Sequence, residues 1–419
     1  MTELSKDTAN KPQANLVLRG AREVLTCVPA GDDPIGRRDD TMVAIGGEKI
    51  IALGSESEVA NAVDLSNAES VDVSGMILAP GFVDCHTHLV FGGTRVKEYA
   101  ARMTMDTEGV QALGIPTGIL ATMAMTRAAS VDELTSLGLD RIGRMLRHGT
   151  TTVESKTGYG LNLESELKML EVNRRLQEES TLDVVSTFLG AHDFPPEISR
   201  DRYVDLVVKE MIPAAAESGK AAFNDVYCDE GYYTVGQTKR ILEAGMDAGL
   251  KPKIHLDAYA DIGGAEIAAE LKVVSVDHLN YTPPASMRKL ANAGVIGVVM
   301  PGLDFAVGHP RPFDARLMID QGMTLALATD MCPACWIESM QLVMALACRL
   351  YRFSPEEALL AATCHAAKAV ELDHDRGSLE PGKLADIQIW DLPTFEDLIY
   401  RVGNNAVVGV IKRGQVVWF

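Results

Sequence analysis

The stretch Ala79-Pro80-Gly81-Phe82-Val83-Asp84-Cys85-His86-Thr87-His88 joins a short apolar run to two histidines one residue apart. Seven further β-rich runs follow along the chain, and helix-like stretches separate them. The eight runs cover residues 76–84, 150–155, 183–189, 223–228, 252–256, 273–277, 295–300 and 324–328. Strands that alternate with helices indicate parallel βαβ units, and eight such units predict an α/β fold, a closed (β/α)8 TIM-like barrel.

The helix-like stretches between these runs show the spacing of apolar residues that is typical of one buried face. The clearest of them are residues 164–178, 203–218, 235–248, 264–271 and 286–293. We therefore expect helices at these five positions around the barrel.

Both ends of the chain are rich in short β-runs outside this alternation. They cover residues 16–19, 42–45, 49–53 and 70–73 near the start, and 385–390, 407–412 and 415–418 at the far end. The Gly46-Gly47 pair between two of them is a hairpin signal. Neither region is long enough for a domain of its own, so we expect one small β-sandwich built from both termini. The predicted domains are residues 1–78 (sandwich, with the first residues disordered), 79–373 (barrel) and 374–419 (sandwich).

Composition narrows the class of protein. The 419 residues carry a formal net charge of −19, which repels phosphate backbones and argues against a nucleic-acid or anionic-membrane partner. No apolar run approaches the roughly 18–20 residues of a spanning helix, and the first residues lack the apolar core of a secretory signal. The seven cysteines are odd in number and scattered, which predicts free thiols and a cytoplasmic location.

Residues able to bind metal or carry protons stand where several of the strand runs end. Five of the nine histidines occupy such positions, and in a barrel these strand ends meet on one face. The residues are His86, His88, His192, His255, His278 and Asp330. Side chains two apart on a strand point the same way, so His86 and His88 can approach one ion. Together with His255 and Asp330 they predict a metal site, the alternative being buried core histidines with ordinary partners.

The stretch 79–88 resembles the opening signature of the amidohydrolase superfamily, and further motifs resemble its imidazolonepropionase family. They run in order to the C-terminus and include Phe91-Gly92-Gly93-Thr94-Arg95, Lys156-Thr157-Gly158-Tyr159-Gly160, Leu189-Gly190-Ala191-His192, Asp277-His278-Leu279 and Gly377-Ser378-Leu379-Glu380-Pro381-Gly382. The resemblance implies one divalent ion, zinc or iron, held by His86, His88, His255 and Asp330. Lys156 does not stand where the bridging lysine of two-metal relatives usually does, so a two-metal site is the minor alternative.

The resemblance also implies an activity, the ring-opening hydrolysis of 4-imidazolone-5-propanoate to N-formimidoyl-L-glutamate, and a homodimer. Asp330 would move the proton and His278 would hydrogen-bond the attacked group. Arg95 would bind the carboxylate of this small molecule, and Tyr159 and His192 match substrate-contacting positions. A salt bridge is the alternative for Arg95, and packing is the alternative for the other two.

Three departures from the family pattern leave other substrates open. Ala258 replaces the Glu or Gln that usually follows the third ligand histidine, residues 114–118 replace a glycine-rich stretch, and residues 331–336 replace an Asn-Pro-Gly-like turn. A hydantoin, thiohydantoin or lactam ring with a carboxylate tail would suit the same metal site and Arg95. The alternatives in other classes are a metal-dependent ring deaminase and a catalytically silent binding protein. Cys332-x-x-Cys335 suggests a redox or zinc pair, or else an ordinary loop.

Overall fold

The computed structural model describes residues 11–419, so the expectation for the first residues lies outside the described range. The chain forms two compact units, residues 11–81 with 372–419 and residues 82–371. The strands are β1 (Leu16–Arg19), β2 (Glu23–Leu25), β3 (Arg37–Arg38), β4 (Met42–Gly46), β5 (Lys49–Gly54), β6 (Glu69–Asp72), β7 (Ile77–Pro80), β8 (Phe82–Asp84), β9 (Thr150–Lys156), β10 (Asp183–Ala191), β11 (Phe223–Cys228), β12 (Lys251–Leu256), β13 (Ser275–His278), β14 (Ile296–Val299), β15 (Leu325–Leu327), β16 (Ile387–Trp390), β17 (Val407–Lys412) and β18 (Gln415–Trp418).

The helices vary from one to nearly five turns. They are α1 (Glu56–Ala62), α2 (Val96–Arg102), α3 (Thr107–Ala112), α4 (Gly118–Ala128), α5 (Val131–Arg147), α6 (Leu163–Glu179), α7 (Arg200–Leu206), α8 (Ile212–Glu217), α9 (Val235–Asp247), α10 (Gly264–Leu271), α11 (Pro284–Ala293), α12 (Pro301–Val307), α13 (Ala315–Asp320), α14 (Met340–Tyr351), α15 (Pro355–Ala362), α16 (Cys364–Ala369) and α17 (Asp397–Tyr400). None of the helices in the described part of the chain has the length and apolar character needed to cross a bilayer.

The barrel unit is built on one eight-stranded sheet in which β8 to β15 follow each other in chain order. Each strand pairs in parallel with the next. A parallel bridge between Thr87 and Met331, just beyond β8 and β15, joins the first strand to the last. The predicted (β/α)8 fold is therefore confirmed, and the sequence runs found all eight strands.

The first predicted run, residues 76–84, was wrong as a single strand. The structure divides it into β7 and β8, with Gly81 between them. The backbone of β7 pairs with β16 and β2, whereas β8 pairs with β9. One continuous apolar run thus supplies strands to two different sheets, because both strands are fully buried and read alike in the sequence.

Four of the five predicted helices are continuous, and the one predicted over residues 203–218 is interrupted. It consists of α7, a π-helical stretch over Val207–Met211 and α8. Pro213 at the start of α8 has no N–H to offer to the preceding turn. The N–H of Ile212 bonds the carbonyl five residues back, at Val207, which is the pattern of a π-bulge.

The terminal unit is the predicted β-sandwich. One sheet has the order β5-β4-β1-β6, and the other has the order β18-β17-β16-β7-β2-β3. The core between them contains side chains from both sheets, among them Leu16, Leu18, Val43, Ile45, Val24, Leu78, Ile387, Ile389 and Ile411. The antiparallel β4–β5 pair turns at the predicted Gly46-Gly47 hairpin. A buried ion pair, Lys412 Nζ to Asp386 Oδ2 at 2.6 Å, lies in the same unit.

Candidate metal centre

The ends of three barrel strands bring the four predicted ligands together. His86 and His88 follow β8, His255 lies in β12, and Asp330 follows β15. Two backbone hydrogen bonds hold the first and last of these segments side by side. The N–H of Asp330 donates to the carbonyl of His86 at 3.1 Å, and the N–H of His88 donates to that of Met331 at 2.9 Å.

Within residues 11–419, three groups of side chains could hold a metal ion, with ligand atoms no more than 4.8 Å apart. One group is His86, His88 and His255, and a second is His86, His278 and Asp330. Asp330 Oδ1 lies 3.7 Å from His86 Nε2 and 3.6 Å from His88 Nε2. These two groups share His86 and contain all four predicted ligands, together with His278. The third group consists of Asp225, His255 and Asp277 and was not foreseen from the sequence.

Buried carboxylates fix the orientation of two of the imidazoles. His86 Nδ1 lies 2.6 Å from Asp277 Oδ2, and His255 Nδ1 lies 3.1 Å from Asp225 Oδ1. Because an ionised carboxylate only accepts, each Nδ1 carries the proton and each Nε2 presents a lone pair. Metal-binding histidines are oriented by carboxylates in this way.

The acceptor atoms of these side chains that make no hydrogen bond are suited to binding a divalent cation. His86 Nε2, His255 Nε2 and Asp330 Oδ1 are buried, and within the described chain none of them has a hydrogen-bond partner. Buried polar atoms without a partner are costly unless something binds them. Three convergent acceptors, two nitrogens and one carboxylate oxygen, form a donor set suited to zinc or iron.

Burial also sets the protonation of the centre. It lowers the pKa of His86, His88 and His255 well below the ordinary value, so these imidazoles are in the neutral form that binds metals. It raises the pKa of Asp330 well above the ordinary value, an effect that the charge of Lys156 partly offsets. A cation at this position would stabilise the ionised form of Asp330.

The backbone is strained at two of the strand ends. His278 has a φ of +86° and Asp330 a φ of +47°, both in the left-handed region that favours glycine. Such conformations persist where the surrounding structure holds them, and they concentrate at functional sites. No residue pattern in the sequence indicates them.

His192 and Tyr159, which the sequence predicts to contact substrate, both lie against the candidate ligand His88. The His192 ring stacks on His88 at 4.8 Å between centroids, and Tyr159 lies 5.3 Å from His192. His192 Nδ1 donates to the carbonyl of Gly158 at 3.1 Å, and burial lowers the pKa of this imidazole to about 4. Gly158 has a φ of +104°, and a Cβ there would lie 2.8 Å from the Cβ of His192. Only glycine permits this approach.

His278 and Tyr227 complete the ring of aromatic side chains around the centre. The His278 ring lies 5.5 Å from His86 and 5.2 Å from His255, and burial lowers its pKa to about 4. Tyr227 stacks on His278 at 6.1 Å and lies 5.4 Å from His255. Tyr227 was not foreseen, although it lies two residues after Asp225 on β11 and therefore on the same face.

Arg95 stands at the start of α2 and forms the salt bridge that was the alternative to its predicted role. Its Nε donates to Glu98 Oε2 at 2.6 Å and its Nη2 to Oε1 at 2.8 Å. Glu98 also accepts from Arg102 Nε at 2.9 Å and is almost fully buried. The pair fixes the guanidinium by its Nε edge, and Nη1 takes no part in it. Glu98 raises the pKa of Arg95 above its ordinary value, although burial alone would lower it.

Fully buried charges inside the barrel support these residues, a role that the sequence analysis did not assign to them. They are Glu154, Lys156, Asp225, Lys253 and Asp277. Burial alone would lower the pKa of Lys156, but the carboxylates of Asp225, Glu154 and Asp277 raise it above the ordinary value. The sequence did contain a signal for these buried charges, because charged residues stand two apart in apolar strand runs. Residues two apart on a strand lie on the same face, which here is the inward face of the barrel.

Arg141 of α5 supports the loop that follows His88. Its Nη1 donates to the carbonyls of Leu89 at 2.5 Å and Phe91 at 3.1 Å. The guanidinium lies 3.5 Å from the centre of the Phe91 ring and 5.2 Å from that of Trp336. Burial lowers the pKa of Arg141 to about 10, so the group stays cationic at neutral pH. It therefore connects the loop after β8 with the loop after Asp330.

Two of the three departures from the family pattern include buried residues, Ala258, Cys332 and Cys335, whereas residues 114–118 are exposed or half-buried. Cys332 and Cys335 exchange two backbone hydrogen bonds of 3.0 and 3.1 Å, and burial raises the pKa of both thiols. Protonated thiols are poor nucleophiles, which favours the ordinary-loop interpretation over a redox pair. The charge of Asp330 also raises the pKa of Cys332, and the charge of Arg95 lowers it. Ala258 is 2% exposed and offers no polar group.

Comparisons with known proteins agree on the family. The sequence model of the amidohydrolase family matches residues 77–417. An imidazolonepropionase of Alkaliphilus metalliredigens is 43% identical over 385 residues, 90% of each chain. One of Shouchella clausii is 42% identical over 418 residues, 96% of this chain and 92% of its own. A zinc-bound adenosine deaminase from Xanthomonas campestris has a similar fold, with a TM-score of 0.75 over 97% of this chain and 93% of its own, at 17% identity.

Proposed function

Because the chain belongs to the imidazolonepropionase family of the amidohydrolase superfamily, we propose that it hydrolyses 4-imidazolone-5-propanoate to N-formimidoyl-L-glutamate. One observation carries the proposal. The lone pairs of His86 Nε2 and His255 Nε2 and the Oδ1 atom of Asp330 converge, buried and without partners in the described chain. This arrangement suits a metal-dependent hydrolase that acts on cyclic C–N bonds.

His86, His88, His255 and Asp330 would hold one divalent ion, which we propose to be zinc or iron. When bound, such an ion supplies Lewis acidity and makes water nucleophilic near neutral pH. Asp277 and Asp225 keep His86 and His255 in the tautomer that presents Nε2.

Asp330 is the proposed carrier of the proton. Water adds to the ring carbonyl carbon, its proton goes to Asp330, and the ring C–N bond breaks as Asp330 returns that proton to the leaving nitrogen. His278 lies within the same group of side chains and is neutral. It would donate a hydrogen bond to the carbonyl oxygen, where negative charge develops.

Arg95, Tyr159 and His192 are the proposed substrate-binding residues. Glu98 binds the Nε edge of the Arg95 guanidinium, so the propanoate carboxylate would bind the edge formed by Nη1 and Nη2. The planar guanidinium favours a bidentate contact with a carboxylate. Tyr159 and His192 present a buried aromatic wall beside His88, against which the planar ring would lie. The loop that follows β8, held by Arg141, would keep this wall in place.

A turnover assay tests the proposal. The purified protein with measured metal content is given imidazolonepropanoate, and the ring-opened product and released ammonia are both quantified. We expect ring opening without ammonia, and loss of at least 100-fold in Asp330→Asn. The matched control Asp201→Asn, an exposed residue on α7, should retain full activity. Ammonia release would instead support a ring deaminase, and metal content without turnover would support a binding protein.

A second candidate substrate is a hydantoin or thiohydantoin ring with the same propanoate tail. It is favoured by Ala258, which supplies no polar group, and by the buried Cys332 thiol, whose pKa responds to the charges of Asp330 and Arg95. The assay therefore includes hydantoin- and thiohydantoin-propanoate. A tenfold preference in kcat/KM, about 1.4 kcal/mol in the barrier, decides between the rings.

We further propose a cytoplasmic homodimer. Within residues 11–419 none of the seven cysteines forms a disulfide bond, which fits a reducing compartment. Three apolar side chains in the segment of α2 and α3, just after Arg95, are more than half exposed: Val96, Met103 and Leu113. A second copy of the chain could cover them. Light scattering on the purified protein tests the dimer, and a monomeric mass at micromolar concentration would contradict it.

A further inference from the structure

A third group of potential metal ligands lies on the Nδ1 side of His255. One ligand atom each of Asp225, His255 and Asp277 lie within 4.8 Å of one another, and all three residues are buried. Two carboxylates and an imidazole form a donor set that binds zinc, iron or manganese. Because His255 Nδ1 carries a proton, a second ion would have to displace that proton in order to bind there. The described chain therefore contains ligands for a second ion next to the first.

A lysine already occupies the space between these two carboxylates. Lys156 Nζ donates to Asp225 Oδ2 at 2.7 Å and lies 3.4 Å from Asp277 Oδ2. Its remaining carboxylate neighbour is Glu154, at 3.0 Å. An ammonium is a compact unit charge with three donors, so it can satisfy several carboxylates from one point.

The charge balance of the cluster depends on Lys156. Two ammonium groups, Lys156 and Lys253, face three carboxylates, which leaves one negative charge in a region without solvent access. Loss of the Lys156 ammonium would leave an excess of two negative charges. Lys253 pairs with Glu154 at 2.9 Å and, among the ion pairs of the described residues, with neither aspartate. A buried excess of negative charge beside an imidazole is relieved by protonation or by a bound cation.

We propose that Lys156 is a built-in cation that fills a second metal site, formed by Asp225, His255 and Asp277, and so limits the centre to one metal ion. The inference rests on the proposed function only in taking His255 and its neighbours as the holders of the first ion. Lys156 is thus a positioning residue, because it touches the two carboxylates that orient His255 and His86. It serves the centre from the end of β9 without being a ligand.

Metal stoichiometry tests the proposal directly. Metal-free protein is equilibrated with excess zinc or manganese, and bound ions per chain are counted by native mass spectrometry and elemental analysis. We expect one ion in the wild type and two in Lys156→Ala. The matched control Lys253→Ala removes the same charge from the same cluster but keeps Lys156 in place, so it should bind one ion.

A charge-balanced variant keeps the test decisive if Lys156→Ala does not fold. The double variant K156A/E154Q retains the single negative excess of the wild type, because one ammonium (Lys253) and two carboxylates (Asp225 and Asp277) remain, and we expect it to bind two ions. One ion in a folded Lys156→Ala or in the folded double variant overturns the inference. Two ions in the wild type also overturn it but leave the proposed metal centre intact, whereas no ion in the wild type contradicts the proposed function itself.

Discussion

Asp277 controls how His86 presents its Nε2 atom, so we predict that Asp277→Asn weakens metal binding while the barrel unit stays folded. Asp277 Oδ2 lies 2.6 Å from His86 Nδ1, and Oδ1 accepts from Ser275 Oγ at 2.7 Å. An asparagine has the same shape, and its amide oxygen and NH2 group can take both positions. The change therefore removes the charge but keeps the geometry. Outer-shell changes of this kind cost roughly 10- to 100-fold in metal affinity, about 1.4–2.7 kcal/mol.

The assay is a competition between the metal-free protein and a coloured chelator for zinc, with thermal unfolding of the metal-free form measured in parallel. The control is Asp386→Asn, which alters another buried aspartate, paired with Lys412 at 2.6 Å in the sandwich unit. Both variants should be less stable, but only Asp277→Asn should lose affinity for zinc. Unchanged affinity in Asp277→Asn, or an equal loss in Asp386→Asn, would refute the reasoning.

Four further outcomes are expected. Arg95→Lys removes the planar fork and should lower kcat/KM for the propanoate substrate by roughly 10- to 150-fold, about 1.5–3 kcal/mol, mainly through KM, with no change for an analogue that lacks the carboxylate. Arg141→Met leaves two buried carbonyls unpaired and should cost about 1–3 kcal/mol of unfolding free energy, with a shift in the fluorescence of Trp336 as the readout. Gly158→Ala should lower activity more than tenfold, whereas Gly249→Ala, which shares a positive φ but has open space, should affect stability alone. Chelation should lower Tm by about 5–10 °C relative to protein with free metal at 100 Kd, and added zinc should restore it; an unchanged Tm would contradict a metal-stabilised barrel unit.

The order of the barrel strands could be predicted because each is a short apolar run between helix-like stretches. Residues 223–228 form β11 with the predicted bounds, and the other runs differ by a few residues. The change of sheet at Gly81 could not be predicted, because β7 and β8 are both fully buried and alternation is absent. The interruption within residues 203–218 depends on Pro213, a signal that was present and not used.

For the site, residues at strand ends could be identified and residues within strands could not. His255 and Asp330 stand out because a metal-binding side chain ends an apolar run. Asp225 lies inside such a run and Lys156 directly follows one, and their inward position was signalled only by charged residues spaced two apart, a signal that was not used. The pairing of Arg95 with Glu98 and the left-handed backbone at Asp330 are matters of three-dimensional geometry that residue spacing does not encode.

The bridge between Thr87 and Met331 has a consequence for how the barrel opens. Every other pair of neighbouring barrel strands is joined by a ladder of several residues, whereas this seam depends on a few bonds from the segments that carry His86, His88 and Asp330. An ion bound by those side chains would link the first barrel strand to the last, the two that are farthest apart in the sequence of the barrel unit. Its effect would resemble that of a cross-link that closes a large loop. Hydrogen exchange after metal removal should therefore begin along this one seam, and the remaining seven strand junctions should keep their protection.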